Sequence, residues 1–168
     1  MTDRLRVLME EMTQDPIHIE THPARLEAIS LDVPHSIRVL PAPFEEPLGD
    51  FNCVMYALGL TARIETPCRP LGHFYADTVF LRSLIDRSIL RPCTEANGAL
   101  VVWSLAGTIK HVGVAIAQGR VASKWGIGYV YEHGVLEAPK SYGDALTFYS
   151  AIESEHALNH LHQYWTRR

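Results

Sequence analysis

The sequence has little cysteine. Cys53, Cys68 and Cys93 make three, an odd count. They cannot all pair, and no Cys-x-x-Cys spacing suggests structural zinc or a redox dithiol. The expectation is a cytoplasmic protein with reduced thiols, each needing its own explanation. A long apolar run is missing too: nothing approaches the roughly 18 residues of a membrane span. The first residues, Met1 to Glu11, lack an apolar stretch followed by a small-residue cleavage site, so no signal peptide is expected. Positive charge is not in excess. Fifteen Lys and Arg face 19 Asp and Glu, a net charge of −4, which gives no general attraction to nucleic acid or to an anionic membrane.

Cofactor signals are equally thin. Gly126 and Gly128 form a Gly-x-Gly, but not between a strand and a phosphate-binding helix. His156, His160 and His162 include an i, i+4 pair without the Glu of a His-Glu-x-x-His zinc helix or a nearby third ligand. Neither a cofactor nor a metal is expected.

What is present is an ordinary globular composition. Of 168 residues, 47% are hydrophobic and 20% charged, which excludes a disordered or fibrous chain. This length suits one domain. Residues 1–49 read as a helical and Pro-rich N-terminal extension, 50–150 as a core, and 151–168 as a closing helix.

Leu5, Leu8, Met9 and Met12 have helical spacing, and Pro23 suits the start of a helix over 23–29. Prolines 34, 41, 43 and 47 break the period from 31 to 50, which predicts an extended segment with a short strand at 36–40. Asp50-Phe51-Asn52 suits a helix cap, and a short helix is expected over 52–58 with Cys53 in its first turn. Asp77 caps a further helix over 77–90, with an apolar stripe of Val79, Phe80, Leu84, Ile85 and Ile89. The period then switches. Strands are expected at 99–104, 110–117 and 120–124, the last two joined by a turn at Gln118-Gly119, and weaker ones at 129–133 and 146–150. Residues 153–164 read as a helix. Helices first and an antiparallel meander afterwards make an α+β fold.

Chemistry concentrates at Cys53 and His111. A thiol attacks as thiolate, which a helix N-terminus or a neighbouring imidazolium favours. Cys53 opens a helix. His111 opens a strand, sharing one face with the small residues Gly113 and Ala115, while Val112, Val114 and Ile116 form an apolar face. The small-residue face offers room for the Cys53 helix. A Cys at a helix start beside a His on a strand is an activated-nucleophile layout.

Asn52-Cys53-Val54-Met55-Tyr56-Ala57-Leu58-Gly59, then Gly98-Ala99-Leu100-Val101-Val102-Trp103-Ser104, then His111-Val112-Gly113-Val114-Ala115-Ile116-Ala117-Gln118-Gly119, resemble the papain-like NlpC-type cysteine peptidases and amidases. Ser123-Lys124-Trp125-Gly126 and Pro139-Lys140-Ser141-Tyr142-Gly143 also resemble an uncharacterised bacterial subgroup of them. The resemblance covers about residues 50–125, in the direct order Cys, strand, His, hairpin. It implies a papain-like fold and hydrolysis of an amide in a peptide or small molecule, through Cys53 and His111. The family's Asp-Cys-Ser-Gly is Asn52-Cys53-Val54-Met55 here, its Gly-Asp is Gly98-Ala99, and its third polar residue falls on Ser123.

Hairpin register decides that position. A three-residue loop sets Ser123 opposite Gly113 on the face of His111, whereas a two-residue loop puts Lys124 there. His133 is a rival for orienting the imidazole. Backbone N–H groups at the helix start, with Asn52, are candidates for holding an oxyanion. Trp125, Tyr129 and Tyr131 are candidates for lining a substrate groove, although strand aromatics commonly pack in cores. Plain packing accounts for Cys68, Cys93 and His73, and a solvated strand position for Lys124. An inactive papain-like binding module, or an acyltransferase using the same Cys–His pair, is the alternative function.

Overall fold

Two of the helices begin at a capping side chain, Asn52 and Asp77. The computed structural model describes residues 2–15, 17–41, 47–60 and 76–166. Helix α1 spans Thr2–Thr13 and α2 His22–Asp32, with Pro23 in its first turn. Helix α3 is short, Cys53–Ala57, and stops at Gly59, whose φ of 64° suits glycine. Helix α4 runs over Thr78–Asp86, with Asp77 Oδ1 accepting from Phe80 N at 2.8 Å. It ends before the expected residue 90. Its buried residues are Phe80, Leu81 and Leu84, whereas Val79, expected in the stripe, is exposed. Helix α5 spans Ser154–Thr166.

The strands are β1 Arg38–Val39, β2 Leu100–Leu105, β3 Thr108–Ala117, β4 Arg120–Lys124, β5 Val130–Gly134 and β6 Ala145–Tyr149. They form one antiparallel sheet in the order β1-β5-β4-β3-β2-β6. The meander is β2 to β5, with β6 added beside β2. The chain is thus α+β. No described helix is long and apolar enough to cross a membrane.

Both faces of the sheet are covered. On one, Leu100, Val102, Val112 and Val130 pack with Val54 and Met55 of α3, Phe80 and Leu84 of α4, and Ala157 and Leu161 of α5. On the other, Trp125 and Tyr131 pack with Leu5, Met9 and Met12 of α1 and Leu26 of α2. Val101, Trp103, Ala115 and Val121 continue that face.

The Cys53 helix therefore packs on the apolar face of β3, not on the small-residue face. Strand alternation gives the reason. Helix α3 has Val54 and Met55 to bury, and Val112 and Val114 offer the larger apolar surface. The glycine on the other face serves β4 instead: a Cβ at Gly113 would lie 2.6 Å from Val121 Cγ1 and 2.8 Å from Ser123 Cβ.

Candidate functional site

Two local irregularities assemble the site. The first is a bulge in β3. Trp103 pairs with His111, but Ser104 pairs with Ile109, which leaves Lys110 as an extra residue. Ile109 and Val112 can then both face α3. The second lies between β3 and β4. Their paired positions are Val114 with Ala122, Ala115 with Val121 and, across a register shift, Ala117 with Arg120, which leaves Ile116 as an extra residue beside a two-residue Gln118-Gly119 turn. Continuing the register of the first two pairs sets Gly113 opposite Ser123 and Val112 opposite Lys124, so the turn is the two-residue one while the bulge gives the register expected of the three-residue loop.

Cys53 sits where those strands part. Ala115 N bonds Ala99 O of β2 at 2.8 Å, so by alternation the N–H of Val112 points the other way, towards β4. There it acts on the Cys53 thiol in favour of the thiolate, together with the N–H groups of Cys53 and Val54 at the helix start. Asn52 fixes that start. Its Oδ1 accepts from Val54 N at 2.9 Å and Met55 N at 3.0 Å, and its Nδ2 donates to Ala76 O at 2.9 Å. Both ends of the amide are engaged, so Asn52 acts here as a cap; it takes up the Val54 and Met55 N–H groups, and those of Cys53 and Val112 are the donors left beside the thiol.

His111 lies on the opposite face of β3 from α3, buried between two aromatic rings. Tyr142 stacks on it at 3.9 Å between centroids with planes 13° apart, and Trp103 lies 5.4 Å away. Its Nε2 is buried with no hydrogen-bond partner among the described residues. The thiol and imidazole thus flank one peptide unit, His111–Val112, from its two sides. Tyr142 links them: it stacks on His111 and also senses the charge of Cys53.

Burial sets the electrostatics. It pushes the Cys53 thiol up, against the pull of the three N–H groups and Lys124. It holds the His111 imidazole well below its ordinary range, helped by His133. The resting pair is neutral, contrary to the lowered thiol expected from the helix start. A helix of five residues supplies little dipole, and desolvation of the thiolate outweighs it.

Ser123 is fully buried on the face of His111 but bonds elsewhere. Its Oγ lies 2.8 Å from His133 Nε2 and accepts from Trp125 Nε1 at 2.9 Å. His133 Nδ1 lies 2.8 Å from Gly134 O. That carbonyl only accepts, so Nδ1 donates and Nε2 accepts from the serine. Burial takes His133 down to about 4. Trp125 is fully buried, stacked at 4.5 Å on Tyr131, whose hydroxyl lies 2.6 Å from His22 Nδ1. In this arrangement both rings are core, while Tyr129 is half-buried.

Lys124 corrects a further expectation. It is fully buried rather than solvated, with Nζ donating to Gly126 O at 2.8 Å and standing 5.1 Å from the centre of the Phe51 ring. Burial lowers its amine to about 8, with Cys53 opposing the shift. Alternation in β4 was the available signal: Ala122 and Lys124 share a face, and the register turns it towards α3. Tyr142 was the other residue without an expected role. Cys93, expected to pack, is exposed. Cys68 and His73 lie outside the described residues.

No curated protein and no solved structure matches the chain. A family described as a domain of unknown function, DUF7689, matches residues 45–150. That segment is more than half of the chain and carries Cys53, His111, Lys124 and Tyr142, so the chain belongs to the DUF7689 family.

Proposed function

We propose that the protein is a cysteine amidohydrolase or peptidase of papain-like fold, acting through Cys53 and His111. The observation that carries this reading is the setting of the Cys53 sulfur. It lies at a helix start, beside the backbone N–H groups of Cys53 and of Val112, the residue that follows His111. Those donors suit both a thiolate and the oxyanion formed when it attacks a carbonyl.

Because the resting pair is neutral, proton transfer accompanies attack. The Cys53 sulfur bonds to the carbonyl carbon as its proton passes to His111 by way of a water, because the imidazole stands on the other face of β3. The C–N bond breaks, and the leaving amine takes that proton. Water then adds its hydroxyl to the acyl carbon and returns a proton to the thiol. An amine or alcohol in place of that water makes the same site an acyltransferase. The substrate class is an amide in a peptide or small molecule, and the setting is cytoplasmic.

A second reading, a binding module of the same fold without chemistry, is favoured by one observation. Ser123 bonds His133 rather than His111, which leaves the imidazole without a polar orienter among the described residues.

The deciding experiment incubates the protein with a panel of activated amides and thioesters and reads adducts by mass spectrometry. The enzyme reading expects an acyl group on Cys53 that decays in water and is absent from Cys53→Ala. A thiol that alkylates no faster than the exposed Cys93 and never acylates establishes the binding module instead.

A further inference from the structure

The fully buried Lys124 is the unexplained group beside the site. A buried ammonium normally has a carboxylate partner. Lys124 makes no ion pair among the described residues; what it has is one carbonyl and one aromatic face. That ring belongs to Phe51, two residues before Cys53. On the strand side, Lys124 occupies the position opposite Val112, whose N–H meets the sulfur from between the two strands. Approached from α3 or from the sheet, the amine and thiol adjoin.

We propose that the Lys124 ammonium is the charge partner of the Cys53 thiolate, on the α3 face of β4, one residue beyond the Ser123 that the family resemblance makes the third polar residue. The inference rests on the cysteine-nucleophile reading and divides the labour within it. His111 carries the proton, and Lys124 holds the charge left on sulfur. The ionisable groups around the thiol fit this division. Tyr142 and His111 are held neutral by burial, as is His133 behind them. Lys124 is then the cation of the cluster. Its amine stays mostly charged at neutral pH, since burial brings it only to about 8. Gly126 fixes its reach. Gly126, at φ 52°, turns its carbonyl to Lys124 while its N–H meets the Tyr142 hydroxyl.

The test uses the full chain and iodoacetamide, reading Cys53 alkylation against pH by mass spectrometry, with Cys93 as internal reference. Lys124→Met keeps the buried stem and removes the charge. It is expected to lower Cys53 labelling at neutral pH about tenfold, equivalent to a thiol pKa one unit higher. Lys124→Arg restores charge without a readily titrating amine, and recovers most of the rate. Unchanged labelling in Lys124→Met overturns the proposal. So does the reverse pattern, loss in His111→Asn but not in Lys124→Met, which makes imidazolium the charge partner and leaves the Cys–His reading standing.

A second measurement does not depend on thiol chemistry or on Lys124→Met folding. Cys53→Asp places a fixed negative charge at the sulfur position, with Cys53→Ser as control. The Lys124 side-chain NMR titration is expected to move upward from about 8 in the aspartate variant alone. A titration the same in both variants overturns the proposal, whatever the adduct experiment says of the enzyme reading.

Discussion

The ring of Tyr142 lies face to face with the imidazole of His111, centroids 3.9 Å apart and planes 13° from parallel. Tyr142→Ala removes that cover, and with it about 2 kcal/mol of buried aromatic surface. Tyr142→Phe keeps the stack and loses only the phenol's contact with the Gly126 N–H. Urea melts are therefore expected to separate the two variants clearly. In NMR spectra the His111 ring protons, shielded by the stacked phenol, shift downfield in Tyr142→Ala and stay near their original positions in Tyr142→Phe.

Ser123 joins Trp125 and His133 in the resting protein. Ser123→Ala leaves two buried groups, Trp125 Nε1 and His133 Nε2, without their shared partner. The expected loss is about 3 kcal/mol of stability. Alkylation of Cys53 in the folded variant should stay within a few-fold of the original, because Ser123 makes no hydrogen bond to His111. A collapse of labelling in a folded Ser123→Ala protein assigns the serine a direct part in the site.

The contrast between Ser123 and Lys124 shows what the sequence made legible. Period and capping residues located α1, α3 and most strands to within a few residues, because those signals are local. Asn52 and Asp77 cap as their types suggest. The roles of Ser123 and Lys124 depended instead on hairpin register and on which face of β3 received α3. Both are tertiary outcomes. Gly113 looked like room for a helix and is room for β4. Tyr142 reaches His111 from a turn about thirty residues downstream, a contact that no spacing rule announces. The thiol's burial, which decides its ionisation, is likewise invisible until the sheet is folded over it.

Three buried neutral imidazoles, His22, His111 and His133, make stability depend on pH. His133 titrates near 4 in the folded protein against 6.5 ordinarily, and His111 is also lowered, both chiefly by burial. The unfolded chain therefore binds more protons than the folded one below the ordinary histidine range. Stability is full above about pH 6.5 and falls as pH drops towards 4. His133 alone contributes up to about 3 kcal/mol to that fall. Glu132 and Glu137 titrate below their ordinary 4.5 because hydrogen bonds from Arg120, Arg38 and Ser36 outweigh burial. Their losses begin only at the acid end of the window. Urea melts from pH 7.5 to 5 should show the decline, and His133→Gln should flatten it.

Arg6 of α1 holds the turn that carries Tyr142. Its guanidinium donates to Ala138 O at 3.0 Å and Gly143 O at 2.8 Å, and pairs with Asp144. Glu10, one turn further along α1, accepts from Ser141 N at 3.0 Å. The family segment starts at residue 45, so this clamp comes from outside it. The surface half contributes little: Asp144 is three-quarters exposed, and Asp144→Asn should cost less than about 1 kcal/mol. The buried half matters more. Arg6→Met strands two carbonyls and is expected to cost about 2 kcal/mol. Arg6→Lys rescues only part, because one ammonium cannot reproduce the planar fork. If the clamp acts through Tyr142, Arg6→Met shifts the His111 resonances in the same direction as Tyr142→Ala, and the double variant falls short of additivity. Independent, additive losses with an unmoved His111 spectrum make α1 a prop for the sheet and nothing more.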